Sequence, residues 1–166
     1  MTKKGFTLIE VMIVVVIALA VTAFSVPAYK KAQLRNQYTA AQGVLIQVAS
    51  GIRSLYAQYP DSVRIYGAVS NSWESGSSAD TCEKKGATDL TCAKRLLFTA
   101  GFVTSLPFSS TTYKGYTYYA CSGSTGGGCC GSAGWPSDMV ACMTGGTAPY
   151  KGAYVTDAGN LVLKQS

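Results

Sequence analysis

Gly5-Phe6-Thr7-Leu8-Ile9-Glu10 opens the stretch whose reading decides the fold. Before it stands the polar, basic Met1-Thr-Lys-Lys4, and beyond it no further charge occurs until Lys30. Residues 6–29 thus form an apolar run with Glu10 as its single charge. At about 1.5 Å per residue such a run makes a helix of about 36 Å, enough to cross a bilayer. A secretory signal peptide would fit the basic start and apolar core, with Ala18-Leu19-Ala20 as a small-residue cleavage site. A plain membrane anchor would fit the length. Neither gives Glu10 a task, and a carboxylate in an apolar span costs up to about 3 kcal/mol at the helix centre, less near the interface. Glu10 is therefore a candidate functional residue.

A short basic leader ending in Gly5, then Phe-Thr-Leu-Ile-Glu10 at the head of a long apolar helix, resembles the type IV prepilin signature. The likeness runs from Lys3 to about Pro27 without a gap. It implies cleavage between Gly5 and Phe6 by a membrane-embedded prepilin peptidase, with the apolar helix left on the mature chain. A residue without Cβ at position 5 lets the backbone lie close in a protease cleft. Phe6 would then carry a new, N-methylated amino group. Glu10 would pair with the N-terminal ammonium of a neighbouring subunit during assembly, since opposite charges in low dielectric are costly alone and much less so together. The further partners implied are an inner-membrane assembly platform and copies of this chain or other pilins in a helical filament.

Past Tyr29 the apolar positions turn periodic. Leu34, Tyr38, Ala41, Leu45, Val48, Ile52, Leu55 and Tyr59 alternate in steps of four and three, one stripe of an amphipathic helix. Lys31, Arg35, Gln42 and Arg53 fall off the stripe, and Pro60 stops it by disfavouring helix in the residue before. The expected helix runs from about Phe6 to Tyr59, with a kink at Pro27. Gly43 and Gly51, each about 1 kcal/mol less favourable than alanine in a helix, mark close packing or flexible points.

The remainder reads as a head. Residues 61–88 are turn-rich and loop-like. A short helix is expected from Asp89, its cap, to Ala100, with Leu90, Ala93, Leu97 and Ala100 on one face and Gly101 ending it. Strand signals follow at Tyr113–Cys121, Met139–Met143, Ala153–Val155 and Leu161–Leu163, the last two flanking the turn Thr156-Asp-Ala-Gly-Asn160. All six cysteines (Cys82, Cys92, Cys121, Cys129, Cys130 and Cys142) follow residue 81. That even number in a Gly/Ser/Thr/Tyr-rich region reads as a disulfide framework on an oxidising side of the membrane. Cys82 with Cys92 is the preferred pair, and Cys121 and Cys142 are matched with the 129/130 pair, one choice among 15 connectivities. The glycine run before Cys129 lacks the G-x-x-x-x-G-K-[ST] pattern of a phosphate cradle.

The fold class is α+β: a long N-terminal helix, transmembrane in its first half, packed on a small antiparallel sheet with a disulfide-bonded C-terminal region. Its segments are a leader (1–5), the transmembrane and assembly half of the helix (6–29), its amphipathic half (30–60) and a globular head (61–166). With the likeness at the N-terminus, this architecture resembles the type IV pilin.

Charge narrows the function classes. The net charge of +6 becomes +4 without Lys3 and Lys4, and the basic residues do not cluster beyond Lys30, Lys31 and Arg35. The absence of histidine removes Ser-His-Asp and Cys-His catalysis and most zinc sites, and no nucleophile, base and orienting group stand together, so neither enzyme, cofactor nor metal is expected. The expected function is a structural subunit of a type IV pilus serving adhesion, twitching motility or DNA uptake. It would start as a single-pass inner-membrane protein and end in an extracellular pilus. Two alternatives stand beside it. A pseudopilin of a type II secretion system would share leader and helix. The calcium loop of that family needs clustered oxygen ligands, and only Asp138 and Asp157 follow Asp89. A minor pilin binding nucleic acid would use Tyr113, Tyr116, Tyr118, Tyr119, Lys114 and Lys151 for stacking and phosphate contacts.

Overall fold

The computed structural model describes residues 7–75, 82, 88–104, 106–107, 111–123 and 125–165. One helix, α1, spans Leu8–Gln58. It ends two residues before Pro60, the Tyr59 amide closing it on the Leu55 carbonyl at 2.8 Å. Pro27 lies inside it, so the proline does not terminate the span, although its ring removes one donor from the ladder. Close by, the Thr22 and Ser25 hydroxyls donate to the Leu19 and Val21 carbonyls at 2.9 and 2.8 Å.

The chain divides into two compact units, one up to Asn36 and one from Gln37 onward. In the first, α1 exposes its apolar residues on every side: Leu8 and Phe24 are each 79% exposed. In the second, the stripe of the helix is the core. Ala41, Leu45, Val48, Ile52 and Leu55 are all fully buried and Tyr38 nearly so, together with Val44, Ala49 and Gly51 beside them. Gly51 marks close packing, because a Cβ there would stand 2.7 Å from the Phe102 carbonyl oxygen, whereas at Gly43 it would meet open space.

Against this stripe lies an antiparallel sheet. Its strands are β1 (Gly67–Ala68), β2 (Thr112–Tyr113), β3 (Tyr116–Ala120), β4 (Met139–Gly145), β5 (Tyr150–Thr156) and β6 (Leu161–Gln165). The order is β1-β3-β4-β5-β6, with β2 also paired to β3. The last hairpin sits as expected, Val155 facing Leu161 and Ala153 facing Leu163. Alternation along β3 sends Tyr116, Tyr118 and Ala120 inward. There the Tyr118 phenol donates to the Ala41 carbonyl (3.2 Å), and the Tyr38 phenol from α1 donates to the Gly152 carbonyl (2.9 Å). Tyr38 also packs on Tyr150 and Tyr116, with ring centroids 4.9 and 5.8 Å away.

Several expectations need correction. The run Tyr113–Cys121 is not one strand: Lys114 (φ 53°) and Gly115 (φ 81°) make a two-residue turn that folds β2 back on β3. The loop-like 61–88 contains β1 and a 3₁₀ turn, Asn71–Ser75, though most of 76–87 lies outside the described residues. The short helix α2 spans Leu90–Thr99, capped by the Asp89 carboxylate, which accepts from the Thr91 and Cys92 amides at 2.7 and 3.3 Å. Its buried face is Cys92, Ala93, Leu96, Leu97 and Phe98, while Ala100 is exposed. The helix is covered on a broader arc than a single stripe predicts.

Candidate functional site

The start of α1 is built by a reciprocal pair of side chains. Thr7 stands at the cap position and Glu10 three residues on. The Glu10 amide lies 3.4 Å from the Thr7 hydroxyl, and Glu10 Oε2 accepts both the Thr7 amide (3.0 Å) and the Thr7 hydroxyl (2.9 Å). This is a capping box, which satisfies donors that the first turn leaves open. Thr7 is the partner that a reading centred on Glu10 missed, although Thr-x-x-Glu ahead of an apolar run was a visible signal. Both hydroxyl and amide go to one carboxylate oxygen. Among the described residues nothing donates to the other, Oε1.

Around Glu10 the helix is long and apolar enough to cross a membrane, and its most apolar window is wholly uncovered. The cleavage and methylation positions, Gly5 and Phe6, lie outside the described residues.

The cysteines form three disulfides: Cys82–Cys92, Cys121–Cys130 and Cys129–Cys142. The first ties residue 82 to α2. In the other two, each member of the adjacent 129/130 pair takes a different partner, one just after β3 and one within β4. These four buried cysteines share a small second core with Met139, flanked by Tyr119, Trp135 and Tyr154. Cys121, Cys130 and Cys142 bring their sulfurs within 4.8 Å of one another. Metal binding needs thiolates, however, and all three sulfurs are held in disulfides.

The aromatic and basic set weighed for nucleic acid is split by the sheet. Tyr116 and Tyr118 are 3% and 0% exposed, leaving no ring face for a base. Lys114 folds over Tyr113, 5.6 Å from its ring centroid.

The family likeness falls where the N-terminal signature lies. Residues 1–26 match the prokaryotic N-terminal methylation motif. A type IV major fimbrial protein FimA from Dichelobacter nodosus is 37% identical over 73 residues, covering 42% of this chain and 46% of that protein. A second FimA of the same organism is 38% identical over 73 residues, with 42% and 45% covered. A protein described as a fimbrial protein, also from Dichelobacter nodosus, matches at 37% over 73 residues. The match thus spans less than half the length of these relatives. No solved structure matches the chain significantly.

Proposed function

We propose, for a chain similar over 73 residues to type IV fimbrial proteins, that it is the structural subunit of a type IV pilus filament. A prepilin peptidase cuts it between Gly5 and Phe6, Phe6 is N-methylated, and the uncovered half of α1 first spans the inner membrane and then packs against other subunits at the assembly platform. One observation carries the reading: an apolar helix surface from Leu8 to Tyr29 that nothing among the described residues covers, bearing a single carboxylate to whose Oε1 no described residue donates. An ammonium from a neighbour's Phe6 can meet Oε1 while Oε2 keeps the cap, so assembly need not unravel the start of the helix. The three disulfides suit a head on the oxidising side of the inner membrane, in the periplasm or outside the cell.

Cells whose only source of subunit carries Glu10→Ala provide the test. The variant should be cleaved and inserted normally yet give surface fibres at a yield reduced by about tenfold or more, as expected for an unpaired ammonium in an apolar core. Normal fibre yield from Glu10→Ala would overturn the pairing role. Uncut chain in the membrane of a variant with a bulky residue at Gly5, seen as a heavier band and intact mass, checks the cleavage position separately.

A further inference from the structure

A groove of about 310 Å³ opens between α1, the segment after it and the ends of β4 and β5, lined by Arg53, Tyr56, Arg64, Val140 and Asp157. Arg53 and Tyr56 stand three residues apart on one face of α1. The Arg53 guanidinium lies flat against Gly159 in the β5–β6 turn, where any Cβ would strike it; the ζ-carbon would be 2.9 Å away. Gly159 has φ +87°, so the turn both selects glycine and leaves that space. Arg64 stacks on the Tyr56 ring, 4.5 Å from its centroid. The Tyr56 oxygen accepts the Ile65 amide at 2.7 Å, which fixes the phenol and leaves its proton free to be donated. Burial, foremost, raises the Tyr56 pKa above the ordinary tyrosine value, so the group remains a donor. Arg64 also hydrogen-bonds the Tyr56 side chain, and the carboxylate of Asp157 lines the same groove.

Two guanidinium forks and a phenol proton against the single carboxylate of Asp157 leave the groove richer in donors than in acceptors. Arginine forks match planar, two-oxygen acceptors. We infer that the groove between Arg53, Arg64 and Tyr56 binds a carboxylate, supplied by a small organic acid or by an acidic side chain of another polypeptide. Asp157 on the rim sets the charge limit. One negative charge beside two positive ones leaves a net single positive charge, which one carboxylate neutralises and a doubly charged phosphate over-neutralises. The Asp157 amide donates to the Asp138 carbonyl at 2.8 Å, so this rim is anchored to the segment that leads into β4.

The full chain in detergent micelles, at low ionic strength, is titrated calorimetrically with acetate, with an N-acetylated, C-terminally amidated hexapeptide carrying one glutamate, and with inorganic phosphate. Saturable binding of acetate alone identifies a small acid, and tighter binding of the peptide identifies a polypeptide side chain; either supports the site. Arg53→Gln with Arg64→Gln should weaken that binding by about tenfold or more, because both forks are lost. Asp157→Asn should tighten it by about threefold, as the competing charge goes. A double variant that does not fold leaves the Asp157→Asn arm to decide, and unchanged affinity there overturns the proposal. So does an absence of binding up to about 10 mM of either carboxylate, equal affinity in a folded double variant, or tighter binding of phosphate than of both carboxylates.

Discussion

Two stretches of one helix, Leu8–Tyr29 and Tyr38–Leu55, differ in what covers them. In the first, Ile13 and Ile17 are 53% and 57% exposed; in the second, Ile52 is fully buried. The residue types are similar, but the patterns are not. The first stretch is apolar all round, so no single partner element could cover it, and its burial has to come from lipid or from neighbouring helices. The second is apolar on one stripe, which one sheet suffices to cover. Composition therefore decides whether a helix needs an outside partner, and periodicity decides whether its own chain can supply one.

The largest test of this contrast is a matched pair of truncations. Ile52→Ala should lower the unfolding free energy of the unit from Gln37 onward by about 2–5 kcal/mol, the usual cost of emptying a well-packed core site. Ile13→Ala should leave the same denaturant midpoint in detergent unchanged. Equal losses would break the comparison.

A smaller effect separates the two helical glycines. Gly51→Ala should destabilise by about 1–3 kcal/mol, since its methyl would push into Phe102 and Val103. Gly43→Ala, facing open space, should stabilise by about 0.5–1 kcal/mol through helix propensity. Opposite shifts in thermal midpoint are the result to look for.

The smallest expected effect is alkaline. Desolvation, first of all, raises the pKa values of Tyr38, Tyr116 and Tyr118 above the ordinary 10.0. Their contribution is fully present below pH 10 and is lost as the pH rises through the folded-state values, because the unfolded chain releases these protons earlier. Raising the pH from about 9 to about 11 should lower the thermal midpoint by a few degrees, and Tyr38→Phe should blunt that dependence.

Much of this was legible in advance, and the physical reasons for what was not differ from place to place. The stripe from Tyr38 to Leu55 could be read residue by residue, because a helix buried on one side repeats its apolar contacts at 3.6 residues. The β5–β6 hairpin was legible from its turn. The break at Lys114-Gly115 was hidden by the aromatic run around it, since tyrosine favours strand on either side of a turn. Leu96 and Phe98 were missed because α2 is covered over a wide arc, and a one-face pattern undercounts such a helix. Glu10 stood out as a charge among apolar residues, and that charge drew the reading away from the Thr-x-x-Glu cap pattern that names its partner Thr7. The groove at Arg53, Arg64 and Asp157 had no linear signal: its members meet only once the sheet is laid beside the helix.

The adjacent cysteines at 129 and 130 have a consequence for a chain that has been nicked. Cys121 is joined to Cys130, that residue by a peptide bond to Cys129, and Cys129 to Cys142. This bypass makes the backbone on either side of the pair redundant for connectivity. A protease cutting once between Cys121 and Cys129, and again between Cys130 and Cys142, would produce three fragments that still travel as a single covalent molecule. Only a reductant would separate them.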